Sequence, residues 1–213
     1  MNEQNYAHSQ EIIFTPVKKF QIGIFTSWNN YFDGNPMIQT KYINQNLWTW
    51  LSNSKGVEFS YLLNSKNKFR ISLDNVKINY LEHVTGAKTG NSGYIFKRDF
   101  DLYKIEYVRK LYHLKRIEFF IQTGFVFRKG DESILVSYGN FDILVDNHQL
   151  HDFGIVLGLS SNYKIINNLF ANLNFSYQNY FYRFDQGNFN PQPWNNGSSV
   201  QSYSMSIGID YQF

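Results

Sequence analysis

The amino-acid sequence predicts an all-β fold, an eight-stranded antiparallel up-and-down transmembrane β-barrel. Three observations predict it: eight segments in which apolar and polar residues alternate, connections that are alternately short and long, and a polar face built from small and charged residues. Alternation with a period of two marks a strand with one apolar and one polar face. Short turns at one end of the strands and long loops at the other are typical of transmembrane barrels.

The composition excludes several other classes of protein. Aromatic residues make up 19% of the 213 residues and charged residues 17%, which argues against disorder. The net charge of +3 is too small to indicate a nucleic-acid partner, and the lack of cysteine excludes disulfides, thiol catalysis and cysteine-based zinc sites. The mean hydropathy is −0.41, and no window approaches the roughly 18 continuous apolar residues of a transmembrane helix. A membrane-spanning form of this chain must therefore use strands.

The first four predicted strands each set apolar residues on one face against polar residues on the other. Their bounds and apolar members are Lys19–Trp28 (Phe20, Ile22, Ile24), Val57–Asn64 (Val57, Phe59, Tyr61, Leu63), Lys68–Tyr80 (Phe69, Ile71, Leu73) and Tyr103–Tyr112 (Tyr103, Ile105, Tyr107, Leu111). In the third strand the apolar set changes phase after Asn75 to Val76, Ile78 and Tyr80. One inserted residue would cause this change, so we expect a β-bulge there.

The last four predicted strands follow the same pattern. They are Arg116–Arg128 (Ile117, Phe119, Ile121, Phe125, Phe127), Phe153–Lys164 (Phe153, Ile155, Leu157, Leu159, Tyr163), Ala171–Phe184 (Leu173, Phe175, Tyr177, Phe181) and Val200–Phe213 (Tyr203, Met205, Ile207, Ile209, Tyr211, Phe213). Strict alternation over the final dozen residues makes the last strand the clearest. All four prolines fall outside the strand cores, as ladder hydrogen bonding requires.

The connections divide the chain into one barrel domain and a tail. Short turns are predicted at 65–67, 113–115 and 165–170, and long loops at 29–56, 81–102, 129–152 and 185–199. We therefore expect residues 17–213 to form the barrel domain, with its short turns in the periplasm and four long extracellular loops. Residues 1–16 are expected to form an amino-terminal periplasmic tail.

The polar face is expected to point into the lumen, although a soluble lipocalin-type barrel would have the opposite arrangement. Gly, Ser and Asn suit the narrow interior of eight strands, and lipid would not tolerate charges of both signs. The sequence also lacks the carboxy-terminal helix expected of lipocalins. We predict a lumen charge network of Glu58, Arg70, Asp74, Lys104, Glu106, Glu118 and Arg128.

The terminal strand SYSMSIGIDYQF, which ends in Phe213, and the alternation of long and short connections resemble the small eight-stranded outer-membrane barrels of the OmpA/OmpX-type family. The resemblance implies a place in the outer membrane of a Gram-negative bacterium, with outer-membrane lipids as partners. It also implies that the barrel-assembly machinery reads the last strand, through Tyr203, Met205, Ile207, Ile209, Tyr211 and Phe213. Residues 1–12 have neither a basic start nor an apolar core, so we expect a leader peptide to have been removed from the natural precursor.

Basic residues concentrate near the predicted short turns, where acids other than Glu118 are scarce. They are Lys18, Lys19, Lys66, Lys68, Arg70, Lys110, Lys115, Arg116 and Lys164. One interpretation is a basic collar that contacts anionic phospholipid headgroups. The alternative is that lysine is simply common in solvated turns.

Catalytic and metal chemistry find little support in the sequence. A lipid-deacylating barrel needs a serine, a histidine and an acid close together, and all five histidines are predicted to lie outside strands. His148 and His151, beside Asp146 and Asp152, could hold a divalent metal if their loop folded onto itself; a solvated loop is the simpler interpretation. We therefore predict no cofactor, no metal and no catalytic residue.

The long loops are the better functional candidates, because binding often resides in loops on a rigid scaffold. The first loop carries Tyr31, Phe32, Tyr42, Trp48 and Trp50, which form either a contact patch for a partner or a hairpin extension with an interfacial aromatic girdle. We predict a non-enzymatic outer-membrane protein with a structural or binding role. It would act through surface recognition or as a small subunit of a larger complex with other outer-membrane proteins. The alternatives are a lipid A-modifying enzyme and a narrow ion channel.

Overall fold

The structure is a computed structural model that describes residues 19–32, 52–83, 92–138, 141–184, 191–193 and 200–213. These residues form nine antiparallel strands joined by turns. The strands are β1 (Phe20–Phe32), β2 (Ser52–Leu62), β3 (Asn67–His83), β4 (Ser92–Leu114), β5 (Ile117–Tyr138), β6 (Phe141–Ile166), β7 (Leu169–Phe184), β8 (Pro191–Pro193) and β9 (Val200–Gln212). The described residues contain no helix long and apolar enough to cross a membrane.

Eight of the strands close into a barrel, as the sequence predicted. Each long strand pairs with the next one along the chain, β7 pairs with β9, and β9 pairs with β1. Following the paired residues around the barrel from Phe20 leads back to β1 at Asn30, a stagger of ten residues. Such a stagger tilts the strands by roughly 40° from the barrel axis. The short β8, which contains two prolines, pairs with residues 182–184 of β7 beyond the end of β9.

The two faces of each strand have opposite polarity. Outward positions expose aliphatic and aromatic side chains, which together form the apolar band: Ile22, Ile24, Val57, Phe59, Ile71, Leu73, Tyr103, Ile105, Ile121, Phe125, Leu157, Leu159, Phe175, Met205, Ile207 and Ile209. Inward positions bury mostly small, polar or charged side chains. Near the short turns the band ends in aromatic rings, where Phe20 lies 5.4 Å from Tyr61 and 6.0 Å from Phe213. This arrangement suits a barrel surrounded by lipid and lined by polar groups.

The middle strands are much longer than a membrane requires. The strands β4, β5 and β6 have 23, 22 and 26 residues, whereas about 9–11 residues cross a bilayer. The pairing of β4 with β5 continues to the residue pair Ser92 and Tyr138, and that of β5 with β6 continues to the pair Tyr138 and Phe141. The predicted long loops at 81–102 and 129–152 are therefore mostly strand, and the extra pairing carries these hairpins well past the band.

The predicted β-bulge after Asn75 is wrong. The pairing of β3 with β4 runs without a shift from Asn67 to His83, and Val76 is fully buried. Its phase differs from that of Leu73 because the interior itself becomes apolar near the long-loop end, where Phe100 and Leu102 are also buried. The register shifts instead lie between β4 and β5, between β5 and β6, and at two points between β6 and β7.

The second and third short turns are tighter than predicted, and the first is one residue longer. They occupy 63–66, 115–116 and 167–168. In the first turn the Asn64 side-chain oxygen accepts hydrogen bonds from the backbone N–H groups of Lys66 and Asn67, both at 2.9 Å. In the second, Lys115 has a positive φ of 50°, as a two-residue hairpin turn of the primed type requires.

We expect charge in the apolar band to be costly and charge beyond it to be tolerated. Ile207→Arg places a charge in the middle of the β9 apolar row. It should lower the free energy of unfolding in phospholipid vesicles by about 2–4 kcal/mol, which means a less stable barrel. The matched control Asn75→Arg, on an exposed outward position past the band, should have little effect. Denaturant titration of vesicle-inserted protein measures both. Equal losses in the two variants would contradict the position of the band.

Candidate functional site

The lower lumen contains an ion-pair cluster built around Arg70. Its Nε donates to Glu106 Oε2 at 2.9 Å, and its Nη1 lies 3.8 Å from Glu58 Oε2. The remaining Nη2 donates to the side-chain oxygen of Gln122, which in turn donates to Asn174. Glu58, Arg70 and Glu106 come from β2, β3 and β4, so this cluster links three adjacent strands through their inward faces. Gln122 of β5 and Asn174 of β7 extend the cluster through hydrogen bonds to the opposite side of the barrel.

Below this cluster, a second set of polar groups joins β3 to the seam between β1 and β9. Lys68 Nζ donates to Gln21 Oε1 at 3.0 Å, and Gln21 Nε2 donates to Asp210 Oδ2 at 2.8 Å. Asn172 of β7 donates to the other Asp210 oxygen at 2.7 Å. Gly23 lies beside this carboxylate, and a Cβ at that position would come within 2.0 Å of Asp210 Oδ1. The glycine therefore makes room for the buried acid.

The lumen ends near the short turns in an aromatic floor. The Phe120 ring is buried and lies beneath two ammonium groups, with Lys68 Nζ at 5.3 Å and Lys110 Nζ at 6.0 Å from its centroid. Lys110 also donates to Glu118 Oε1 at 2.5 Å. A cavity of about 50 Å³ separates these groups from the turns. This cavity has room for roughly a few water molecules.

The middle of the lumen is lined by hydroxyl groups. Ser27 Oγ donates to Asp74 Oδ2 at 2.7 Å, and Asn29 Nδ2 donates to the hydroxyls of Ser27 and Ser54, both at 3.0 Å. The Ser27 hydroxyl thus solvates one oxygen of the Asp74 carboxylate. Lys104 is buried at an inward position of β4 between Glu106 and Leu102. It therefore lies between the Arg70 cluster and the upper lumen.

The upper lumen is closed by a layer centred on Arg128. Its guanidinium carbon lies 5.2 Å from the Phe100 ring centroid and 4.8 Å from that of Tyr180, and its Nε donates to Asp152 Oδ2 at 2.8 Å. Stacking on two rings and pairing with a carboxylate are the interactions that a buried guanidinium favours. Val76 and Leu102 are fully buried beside this layer. The described side chains therefore close the lumen near both ends.

The seven residues of the predicted lumen charge network all lie on inward positions, but they do not form one network. Glu58, Arg70 and Glu106 share the lower cluster, whereas Arg128 belongs to the separate upper layer. Asp74 bonds to a hydroxyl, and the half-buried Glu118 lies at the short-turn mouth. These sites lie at different heights along the barrel axis. The alternation of residues within one strand shows which face a residue is on, but not which residues of other strands lie at the same height.

Among the residues that the structure describes, sequence reasoning missed three buried charged side chains: Lys68, Asp152 and Asp210. Asp210 occupies the polar phase of the last strand, so its alternation already marked it as an inward residue. Lys68 shares the inward parity of Arg70, although its position near a turn indicated a surface lysine. Asp152 carried no such signal, because the segment before Phe153 was predicted to be a loop.

The predicted basic collar is partly wrong. Lys68 and Arg70 are buried in the lumen, and Lys110 is half-buried. Lys19, Lys66, Lys115, Arg116 and Lys164 are exposed near the short turns, and Lys18 lies outside the described residues. In the described part of this end, the acids are the half-buried Glu118 and the buried Asp210. The exterior of this end is therefore strongly cationic.

The prediction that the histidines fall outside strands is also wrong. His83, His113, His148 and His151 belong to β3, β4 and β6, and His8 lies outside the described residues. The His151 ring stacks on Phe127 at 6.5 Å, and His113 Nδ1 lies 3.6 Å from Glu118. Among the described residues, no three side chains of His, Asp or Glu are grouped to hold a metal ion.

The predicted aromatic contact patch falls largely beyond the described chain. The backbones of Tyr31 and Phe32 form the end of β1, paired with β9. Tyr42, Trp48 and Trp50 lie outside the described residues. The aromatic patch therefore stays a prediction.

Past the apolar band, the outward wall of β3–β6 becomes polar. One row of paired residues runs through Asn75, Asp101, Lys129 and His151, and the next through Lys77, Asp99, Asp131 and Gln149. Lys77 Nζ lies 2.8 Å from Asp99 Oδ2, and this hydrogen bond raises the pKa of Lys77. The wall thus presents charges of both signs on a continuous sheet.

Comparisons with known proteins agree with this architecture. The chain matches no protein-family model and no curated protein sequence. Its fold is similar to that of Neisserial surface protein A, with a TM-score of 0.51 and 11% identity over 91% of this chain and 97% of that chain. For Ail, the attachment invasion locus protein of Yersinia pestis, the TM-score is 0.52 and the identity 12%, over 92% of this chain and 99% of that chain. For a major outer membrane protein from Thermus thermophilus, the TM-score is 0.55 and the identity 12%, over 91% of this chain and 99% of that chain.

At these identities the similarity establishes the fold. The chain is a transmembrane β-barrel with the architecture of outer-membrane proteins, and the predicted resemblance to small outer-membrane barrels is confirmed at that level. The exposed apolar band and the polar lumen give the same result independently.

We expect the barrel to be destabilised when one member of the Arg70 cluster is removed and its partners stay charged. Arg70→Met would leave the buried Glu58 and Glu106 carboxylates without their cation, and should cost about 3–5 kcal/mol. Glu58→Gln and Glu106→Gln, added to Arg70→Met, should recover much of that loss, because no charge is then unpaired. Denaturant unfolding of vesicle-inserted protein measures each variant.

The control is the exposed pair on the outer wall. Lys77→Met removes the Asp99 partner in water and should leave the unfolding midpoint unchanged. A midpoint for Arg70→Met that also equals the parent value would contradict the lumen assignment.

Proposed function

We propose that this protein is a non-enzymatic outer-membrane barrel of a Gram-negative bacterium that recognises a protein partner through the hairpins beyond its apolar band. One observation carries the proposal: β4, β5 and β6 continue as a paired sheet far past the band. A strand that only crosses a membrane needs about 9–11 residues, so membrane crossing does not explain strands of this length. We assign these hairpins to the extracellular side and the short turns to the periplasm.

The surface of the extension supports a protein partner. Ile143 and Leu144 near the tip of the β5–β6 hairpin are each 56% exposed, although they lie well past the band. Exposed aliphatic side chains are typical anchors of protein interfaces. The wall below them carries Lys77, Asp99 and Asp131, and such mixed charges suit another protein better than a polyanion.

The closed lumen supports binding over transport. The Arg128 layer blocks the upper lumen, and the Phe120 floor with its small cavity lies at the lower end. An eight-stranded barrel has just enough interior for its own side chains. The narrow-channel alternative would need both layers to move.

We expect the purified protein to give no steady conductance in planar bilayers. Arg128→Ala removes the group held between two rings, and should produce brief openings at most, because the Arg70 cluster remains below it. A stable ohmic current from the unmodified protein would contradict the closed lumen. The heat-dependent shift of the folded barrel on an unheated gel controls for correct folding.

The hairpin itself can be tested by shortening it. Residues 132–148 are replaced by Asn-Gly, which joins the paired residues Asp131 and Gln149 through a two-residue turn. The shortened barrel should still fold, because its membrane part is intact, and should lose any partner captured from the source outer membrane in gentle detergent. Quantitative mass spectrometry of the captured proteins measures this loss.

A second variant keeps the full hairpin and changes only its two exposed aliphatic side chains. Ile143→Ser with Leu144→Ser should weaken capture without changing hairpin length. Equal capture by the parent and the shortened form would contradict the recognition surface. Lipid A that changes in mass when the protein is expressed would favour the enzyme alternative instead.

A further inference from the structure

The outer wall of the barrel carries an apolar groove across β4, β5 and β6. Its volume is about 450 Å³, and it is lined by Tyr107, Arg109, Ile121, Thr123, Leu157 and Leu159. The groove exists because Thr123 is small. It pairs with Tyr107 on one side and Leu157 on the other, and Ile121 and Phe125 precede and follow it on the same face. Four large side chains therefore surround one short one.

The wall of this groove is held in place. The Tyr107 hydroxyl donates to Asn67 Oδ1 at 2.7 Å, and its ring packs edge-on against Phe69 at 5.8 Å. These two contacts fix the ring that faces Thr123. A preformed groove loses little conformational freedom when a flexible chain enters it.

A cation lies at the short-turn end of the groove. Arg109 is exposed, pairs with Ile121 in the outward row below Thr123, and has no carboxylate partner among the described residues. An unpaired guanidinium beside an apolar surface in contact with lipid favours an anionic partner.

We propose that this groove binds one anionic glycerophospholipid from the adjacent leaflet. An acyl chain lies over Thr123 between Tyr107 and Leu157, and the phosphate accepts hydrogen bonds from the Arg109 guanidinium. The planar fork of arginine matches the oxygens of a phosphate. The size and polarity of the groove suit a single acyl chain. This site is independent of the recognition surface proposed above, since it lies at the opposite end of the barrel.

The site can be tested with delipidated barrel in gentle detergent. Phosphatidylglycerol and phosphatidylethanolamine are titrated separately, and native mass spectrometry counts the lipids that stay bound. The parent should retain one phosphatidylglycerol more tightly than phosphatidylethanolamine. Arg109→Gln should weaken phosphatidylglycerol binding about tenfold, as expected for the loss of a charge-assisted hydrogen bond. Thr123→Phe, which fills the groove, should weaken both lipids.

The matched control is Lys19→Gln, which removes an exposed cation at the same end of the barrel but beside β1. It should bind phosphatidylglycerol like the parent, and Arg109→Lys should keep part of the preference. The gel shift of the folded barrel confirms that each variant is folded before it is titrated. The proposal is overturned if the parent shows no preference, if Lys19→Gln loses as much binding as Arg109→Gln, or if Thr123→Phe binds both lipids normally.

Discussion

The closed antiparallel ladder is the constraint on which the rest of this structure depends. In lipid, every backbone N–H and C=O must find a partner within the protein, and a barrel satisfies them all because it has no edge. Here the pairing of β9 with β1 completes the circle with a stagger of ten residues. Once the circle closes, the parity of each residue decides whether it meets lipid or lumen. A shift of one residue anywhere would exchange the two faces of a strand.

The lumen then follows from charge and volume. Eight strands leave room for side chains but little for water, so each buried charge must be paired or hydrogen-bonded by its neighbours. Arg70 and Arg128 solve this requirement in different ways. Arg70 collects two carboxylates and an amide, whereas Arg128 combines one carboxylate with two aromatic faces. Each layer joins side chains from at least four strands, so it stabilises the closed circle as well as fills it.

The exterior is organised by height along the barrel. The middle is apolar, the short-turn end is cationic, and the wall past the band carries both signs of charge. The long hairpins of β4, β5 and β6 convert what would be loops into a sheet with a fixed register, which can present Ile143 and Leu144 in a defined position. Rigid presentation lowers the entropic cost of binding. The barrel thus holds two chemically different surfaces apart, one at each of its ends.

The sequence by itself determined the fold class, the approximate positions of eight strands and the polarity of their faces, because a period of two survives without knowledge of the partner strands. It also marked Glu58, Arg70 and Arg128 as inward residues. Only the tertiary structure decided which of these charges meet, since contact depends on the register between strands and on height along the axis. It also turned two predicted loops into hairpins, and moved Lys68 from the surface into the lumen. Val76 shows the same limit. Its apolar side chain departs from the expected alternation because the upper lumen is itself apolar. The sequence of one strand does not show which side chains face it across the barrel.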